Sequence, residues 1–399
     1  MTEEARFDAL AQLAVCGANV QPGQIVALSA TVGQENCARA VARAAYKRGA
    51  LFVDTTYFDP YVKRARIENA DPETLGFVPP WYGERLLALG ELGGARISLS
   101  GVVAPEALAG LDPGLAGRDQ LPWLKETSRL IAENSTNWCG IACPNREWAR
   151  LVYPELSDED AYERLWEEVA HVLRLDEPDP AVAWEERVGQ LKRSADALTV
   201  QRFDSIELRG PGTDLSVGLL PTCSWEAGDF TTRFGVRHLP NLPTEEVFTT
   251  TDPLRTEGHV TATKPLVLRG GTIIRGLRVR FERGRAVDID ADENAAALRS
   301  RAEIDEGAAR LGELALVDRK GRIGPLGTVF YDTLLDENAA SHVALGFGFP
   351  FAVDEPDRER VNRSGTHIDF MIGSPELDVD GVTREGERVA VLRGGDWQL

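Results

Sequence analysis

The chain holds only five histidines, at 171, 238, 259, 342 and 367, and two of them stand beside carboxylates near its end. In GTHIDFMIG, His367 and Asp369 are two apart within a run of Ile, Phe, Met and Ile. The period of two in a strand puts both on one face, with Ile368 and Phe370 on the other. An imidazole and a carboxylate facing the same way out of an apolar strand are costly to bury unless a divalent metal compensates them. The competing reading is an exposed polar face. In FYDTLLDENAASHVALGFGFP, Glu337 and His342 are five apart, which on a helix separates them by roughly 140°. They can share a metal only if a helix begins near Asp336, a suitable N-cap, with Glu337 in its frayed first turn. In NLPTEEVFTT, Glu245 and Glu246 precede the β-prone Val247 and Phe248, so at most one of them turns inward. In EGAARLGELALVD, Glu313 lies between Leu311 and Leu314, an unusual setting for an acid.

Together these segments offer four carboxylates and two imidazoles. Mixed N/O ligands suit zinc, cobalt or manganese, and six side chains exceed what one four-coordinate zinc takes, so two metals with a shared carboxylate are expected. Two metals can activate a water and polarise the attacked oxygen, which is hydrolase chemistry. Other chemistries have less support. There is no G-x-S-x-G elbow and no P-loop, and no Cys has an evident His partner. SATVGQEN, after the first strand, lacks the dinucleotide fingerprint. Cys139 and Cys143 read as buried thiols, His171 as a packed or rim histidine and His259 as a surface residue, while His238 is a weak reserve ligand.

The elements that must position these residues fall into two textures. Up to about residue 150, helices alternate with short apolar strands: a helix over 3–16, a strand over 25–29, a helix over 35–47 that Gly49 can cap, and strands over 51–56, 95–100 and 138–142. That order predicts a mostly parallel sheet with helices on its faces. Ser157 opens a helix with Asp158, Glu159 and Asp160 in its first turn, DEPDP at 176–180 reads as a linker, and a helix over 181–198 follows. From about residue 200 strands dominate. One hairpin turns around 211–214 with a longer loop, another about Arg283-Gly284, and a helix covers roughly 292–305. The expectation is an α/β amino-terminal domain over 1–180 and a β-rich α+β catalytic domain, largely antiparallel, over 181–399.

Composition narrows the partners. Across 399 residues the net charge is −19, an excess of acid that disfavours nucleic acid and favours cations such as metal ions or a peptide ammonium group. The longest uncharged apolar stretch, 343–353, has 11 residues, against about 20 for a membrane span. Five cysteines do not form a disulfide framework, and the first residues are acidic rather than signal-like, so a cytoplasmic location is expected.

In order, NLPTEEVFTT, ARLGELALVD, FYDTLLDENAASHVALG and THIDFMIGSPELDVDG resemble the aminopeptidase T and aminopeptidase S family of two-metal exopeptidases. The likeness continues in VLRGGDWQL, in TNWCGIACPNREWARLVYP and in the opening residues, and it is strongest from residue 241. The resemblance implies Glu246, Glu313, Glu337, His342, His367 and Asp369 as metal ligands, choosing Glu246 over Glu245 where spacing left both open. It also implies a homodimer with its sites facing an enclosed space. The expected activity is a metal-dependent aminopeptidase that removes N-terminal amino acids from peptides with a free N-terminus. Its water is activated by two divalent ions (Zn, Co or Mn), and Glu337 or Glu313 moves the proton to the leaving amine. The rivals are another two-metal amide or phosphoester hydrolase and an inactive metal-binding homologue. A phosphoesterase calls for basic residues that LPTEEVF and DENAASH do not supply. Where the family carries a Tyr seven residues after the third-motif His, this chain has Phe349, which donates no hydrogen bond, and Tyr331 is the available substitute.

Overall fold

In the computed structural model, which describes residues 2–268 and 271–399, the first texture forms as its pattern requires. The Thr2 hydroxyl accepts from the Ala5 N–H and opens α1 (Glu3–Gly17), which leads to β1 (Ile25–Thr31). Then α2 (Glu35–Lys47) ends before Gly49, held at φ +94°, and β2 (Phe52–Phe58) follows. Helices α3 (Pro60–Asn69) and α4 (Pro80–Glu91) precede β3 (Ala95–Ser100). Helices α5 (Pro113–Arg118) and α6 (Glu126–Ala132) precede β4 (Asn137–Ala142). The strands run parallel in the order β2-β1-β3-β4.

Three helices then cross to the second texture: α7 (Arg146–Val152), α8 (Asp158–Val172) and α9 (Pro180–Gln201). Ser157 caps α8, and the three acids of its first turn oppose the helix dipole. Asp179 caps α9, with Pro180 in its first turn, so DEPDP is the bend between two helices. The hairpin of β5 (Ser205–Gly210) and β6 (Thr213–Leu219) is tighter than expected. Gly210 pairs with Thr213, and only Pro211 and Gly212 form the turn, because Gly212 takes φ +74°.

A small ribbon, β7 (Phe230–Thr231) with β8 (Arg237–His238), leads to β9 (Asn241–Leu242), which returns to lie parallel beside β4 as the fifth strand of the first sheet. Next comes β10 (Glu246–Thr261), the ribbon β11 (Leu266–Val267) and β12 (Ile273–Ile274), and the hairpin β13 (Arg278–Glu282) and β14 (Arg285–Asp290). Helix α10 (Ala295–Ala302) is shorter than the expected 292–305, since Asn294 is left-handed at φ 61°. The chain ends through β15 (Leu311–Val317), α11 (Thr333–Glu337), β16 (His342–Gly346), β17 (His367–Met371), β18 (Asp378–Val382), β19 (Arg388–Arg393) and β20 (Asp396–Trp397). These strands form an antiparallel sheet ordered β17-β16-β15-β10-β6-β5-β18-β19-β20, with the β13–β14 hairpin joined to β10.

Two apolar cores support this mixed α/β architecture. One joins α1, α2 and α8 to the parallel sheet around Leu10, Val26, Ile141 and Trp166, and it also takes in Leu242, Ile323, Phe330 and Leu335 from the later chain. The other lies on the antiparallel sheet and includes Leu191 and Leu198 of α9 and Leu298 of α10. Among the described residues no helix is long and apolar enough to cross a membrane.

Candidate metal centre

Strand register alone brings the acids and imidazoles together. Opposite residues of antiparallel strands share a face, and alternate residues along a strand share it too. Glu313 of β15 lies opposite Ala344 of β16, which lies opposite Asp369 of β17, and His342 lies opposite Ala315. Glu246 of β10 lies opposite Val317, two pleats along the same face. Glu246, Glu313, His342, His367 and Asp369 therefore project from one face of four neighbouring strands. The other face carries Val247, Leu314, Leu316, Val343, Leu345, Ile368 and Phe370, which enter the second core. The residues between the acids are small, Ala315 and Ala344, and leave room above the sheet.

The side chains meet in two groups with one member in common. Ligand atoms of Glu246, Glu313 and His342 lie within 4.8 Å of one another, as do those of Glu313, His367 and Asp369. Nε2 of His342 stands 3.0 Å from Oε2 of Glu246, and Nε2 of His367 is 3.0 Å from Oε2 of Glu313 and 3.2 Å from Oδ1 of Asp369. Glu337 is buried over the same groups and lines the same cavity.

Its placement corrects one sequence expectation. Helix α11 ends at Glu337 instead of beginning at Asp336, and His342 is on a strand, not on that helix. The cap is Asp332, whose carboxylate accepts from the N–H groups of Leu335 and Gly101 and from the Ser100 hydroxyl. Asp336 turns inward to accept from the Phe330 N–H.

The donor set fits a divalent cation. Nδ1 of His342 bonds the Ala340 carbonyl at 3.2 Å, and Nδ1 of His367 bonds the Phe347 carbonyl at 2.9 Å. A carbonyl only accepts, so each Nδ1 carries a proton and each Nε2 is turned to the acids, the usual anchoring of a metal-binding imidazole. Oε2 of Glu246 is buried and faces Nε2 of His342 at 3.0 Å, and it has no donor while that nitrogen carries no proton. Such an oxygen is costly unless a cation satisfies it.

Without metal, protons take that part. Burial pulls the His342 imidazole down, but Glu246, with Glu313 and Asp369, overrides it and holds the pKa up at about 10. His367 is likewise desolvated, yet Asp369 and Glu313 keep it well above the ordinary histidine value. Burial, opposed by His367 and aided by Asp369 and Glu246, pushes Glu313 up to about 7. Burial and the neighbouring acids Asp369 and Glu246 hold Glu337 well above the usual carboxylate range. A group that binds its proton more tightly when folded stabilises fully below its unfolded pKa and loses this as pH rises through the folded value. Metal-free protein should therefore lose thermal stability as pH climbs from about 6.5, the unfolded histidine value, toward the His342 value of about 10. Zinc-loaded protein should not, because ligated histidines carry no ring proton to lose at Nε2. Melting curves at stepped pH, with chelator and with zinc, check this; parallel curves would refute it.

Ala344, opposite both Glu313 and Asp369, gives a separate test. Ala344→Val puts two methyl groups into the space between those acids and should weaken metal binding by about 10-fold or more, the scale of supporting-shell changes. Competition against a chelating dye measures it, and an unchanged affinity would show that the space above Ala344 is not used.

The remaining sequence candidates separate clearly. Glu245 faces away from the centre and pairs with Arg174 and Arg187. His171 pairs with Asp176 in a half-exposed position, and His259 is exposed on β10. Cys139 and Cys143 are buried thiols whose pKa values are raised, by burial for Cys139 and by the neighbouring Cys37 for Cys143. His238 is buried on the wall of the same cavity, outside both acid groups, with neither ring nitrogen bonded; burial lowers its pKa to about 4 and keeps it neutral. Tyr331 also lines the cavity, and its hydroxyl accepts from Arg275 at 3.2 Å. The cavity, of about 380 Å³, is lined from both sheets, by Ser98 and Trp138 of the first as well as by the acids of the second. Of its phenylalanines the sequence singled out Phe349 alone, although the alternation in Phe347-Gly348-Phe349-Pro350-Phe351 was a visible signal.

Known proteins resemble this chain along its whole length. The model of the thermophilic metalloprotease family (M29) matches residues 3–397. Aminopeptidase T of Thermus thermophilus is 40% identical over 401 residues, covering 98% of each chain. Aminopeptidase 2 of Geobacillus stearothermophilus is 35% identical over 406 residues, covering 99% of this chain and 98% of its own. The solved structure of wild-type AmpT from Thermus thermophilus matches with a TM-score of 0.85 at 38% identity over the whole of both chains. With the family matched almost from end to end, the chain belongs to the thermophilic metalloproteases of family M29.

Proposed function

We propose that this protein is a metal-dependent aminopeptidase that releases the first residue of peptides with a free N-terminus. The observation that carries the reading is the pair of acid–imidazole groups sharing Glu313 on the wall of a cavity large enough for a small peptide segment. Glu246, Glu313 and His342 would hold one ion and Glu313, His367 and Asp369 a second, with zinc, cobalt or manganese each suited to these donors. Bound there, the ions supply Lewis acidity and lower the pKa of water. Glu337 is the proton carrier: its burial among other acids holds its affinity for a proton high, as a group that takes a proton from water and passes it to the leaving amine requires. The surplus of acids at the centre favours the substrate's ammonium group, which limits cleavage to the first peptide bond.

Tyr331 supplies the phenol absent at Phe349. Its oxygen accepts from Arg275, which leaves its own O–H as a donor, and the residue lines the cavity. Tyr331→Phe should lower kcat about 10²-fold with little change in KM, the scale for loss of one oxyanion donor; an unchanged kcat would remove it from this role.

The reading also includes a homodimer, a cytoplasmic site of action and domains over 1–180 and 181–399. Exposed apolar side chains such as Phe52, Tyr61 and Trp81 support the dimer and five free cysteines the location, while the first core, which takes in Trp184, Leu242, Ile323, Phe330 and Leu335, runs across the boundary at 180. The test of function is hydrolysis of aminoacyl chromogenic amides after chelation and after return of Zn²⁺, Co²⁺ or Mn²⁺. Metal-restored release from free-amine substrates but not from N-acetylated ones is expected. Equal release from both would point to a general amidase.

A further inference from the structure

The first sheet presents a different chemistry to the cavity from the acids of the second. Alternate residues of a strand share a face, and Arg96 and Ser98 of β3, with Trp138 of β4, line the cavity. Among the described residues Arg96 is the only Lys or Arg that does so. Its guanidinium carbon lies 5.8 Å from the centre of the Trp138 ring, and the imidazole of His238 on β8 lies 6.4 Å from the same ring. Trp138 is thus common ground for a cation and an imidazole. His238 is 3% exposed, and neither ring nitrogen has a hydrogen-bond partner. The neutral ring offers one N–H donor and one acceptor. Burying both unused is costly unless a bound molecule takes one of them.

We propose that Arg96 and His238 receive the carboxylate at the far end of a short peptide whose ammonium end lies at the acids, so that free-acid peptides of a few residues are favoured over amidated ones. The proposal rests on the aminopeptidase reading and names the length and terminus of the substrate it serves. A carboxylate only accepts hydrogen bonds, which suits a guanidinium and an imidazole N–H. The cavity lining gives the span. Ring-to-ring steps of 5.5, 5.3 and 5.1 Å lead from His367 through Phe349 and Phe351 to Phe230, which pairs with His238 across the β7–β8 ribbon. An extended chain advances about 3.3–3.6 Å per residue, so about five residues suffice to bridge the acids and the His238 side. A zwitterionic peptide meets opposite charge at both places in one direction and like charge in the other, which fixes its orientation.

The test measures kcat/KM of the metal-reloaded protein on Leu-Gly, Leu-Gly-Gly and further glycine extensions up to about five residues, each as free acid and as C-terminal amide. At one or more of these lengths the acid is expected to exceed the amide by about 10-fold, the scale of a hydrogen bond to a charged group. Arg96→Met should abolish that lead, Arg96→Lys should keep part of it, and His238→Phe should reduce it. Because two substrates are compared in one protein, partial misfolding does not imitate the effect. Equal or faster cleavage of the amide at every length would overturn the carboxylate site and leave the aminopeptidase reading standing, as would a lead unchanged in Arg96→Met. A preference for Leu-Glu amide over Leu-Gln amide, with no lead of acid over amide, would place a side-chain carboxylate there and equally overturn the proposal. Absence of cleavage of every peptide would overturn the aminopeptidase reading, and calorimetry of Leu-Gly-Gly and its amide on the metal-loaded protein would then decide the site. Tighter binding of the acid by about 10-fold, lost in Arg96→Met, supports it, and equal binding overturns it.

Discussion

Glu313→Gln should remove turnover and lower metal occupancy at both acid groups at once. Glu313 is the residue the two groups share, and its carboxylate is almost fully buried 3.0 Å from Nε2 of His367. Glutamine keeps the shape of the side chain but offers an amide where the proposed pair of cations calls for a charged oxygen, and it leaves His367 without one of its two anionic neighbours. Loss of more than about 10³-fold in kcat/KM is expected, beyond what a single oxyanion donor supplies. His342→Ala is the informative contrast, because it disturbs only the group that also contains Glu246. Metal content by elemental analysis should therefore fall further in Glu313→Gln than in His342→Ala. Two tightly held ions and full hydrolysis in Glu313→Gln would sink the shared-ligand arrangement.

The second large effect lies behind the centre. Arg187 donates through Nε to Glu245 at 2.5 Å and through Nη2 to Asp318 at 2.8 Å, and Arg174 donates to the other oxygen of Glu245 at 2.9 Å. Trp397, near the end of the chain, donates its indole N–H to Asp318 at 2.9 Å. Glu245 and Asp318 are buried, so neither carboxylate can turn to water if Arg187 is lost. Arg187→Met should destabilise the protein by about 3–5 kcal/mol, the cost of breaking a buried ion pair from one side. It should also weaken metal binding, since Glu245 directly precedes Glu246 and Asp318 directly follows β15. Adding Glu245→Gln and Asp318→Asn to Arg187→Met removes the stranded charges and should recover part of the loss. Thermal unfolding of the single and triple variants, with and without metal, measures both effects. A single variant that melts like the wild type would show that the network adds no net stability.

What could be read from the sequence was what is decided locally. Strand β3 and helix α2 lie at their expected bounds, because apolar period and terminal residues fix them within a few positions. The common face of His367 and Asp369 follows from the period of two and needs no tertiary information. The relation between Glu337 and His342 did not follow. Asp332 and Asp336 are chemically identical caps four residues apart, and the choice depends on Ser100 and Gly101, which meet Asp332 only in the folded chain. Likewise, nothing near Glu245 announces Arg174 and Arg187, and the alternating phenylalanines become a wall only when Phe230 and Phe248 are brought against them. Long-range pairing was the missing information in each case.

The two-residue strand β9 has a consequence for how the protein is made. It seats Asn241 and Leu242 beside Gly140 and Ile141, and only three residues, 243–245, separate it from Glu246. The first acid of the centre is thus moored to a sheet built from residues that precede it, while Asp369 belongs to a segment synthesised well after both. A chain emerging from the ribosome can fold most of its parallel sheet early, but the group of Glu313, His367 and Asp369 does not exist until residue 369 has appeared and paired. Under the two-ion reading, fragments ending before β17 should therefore lack the second ion.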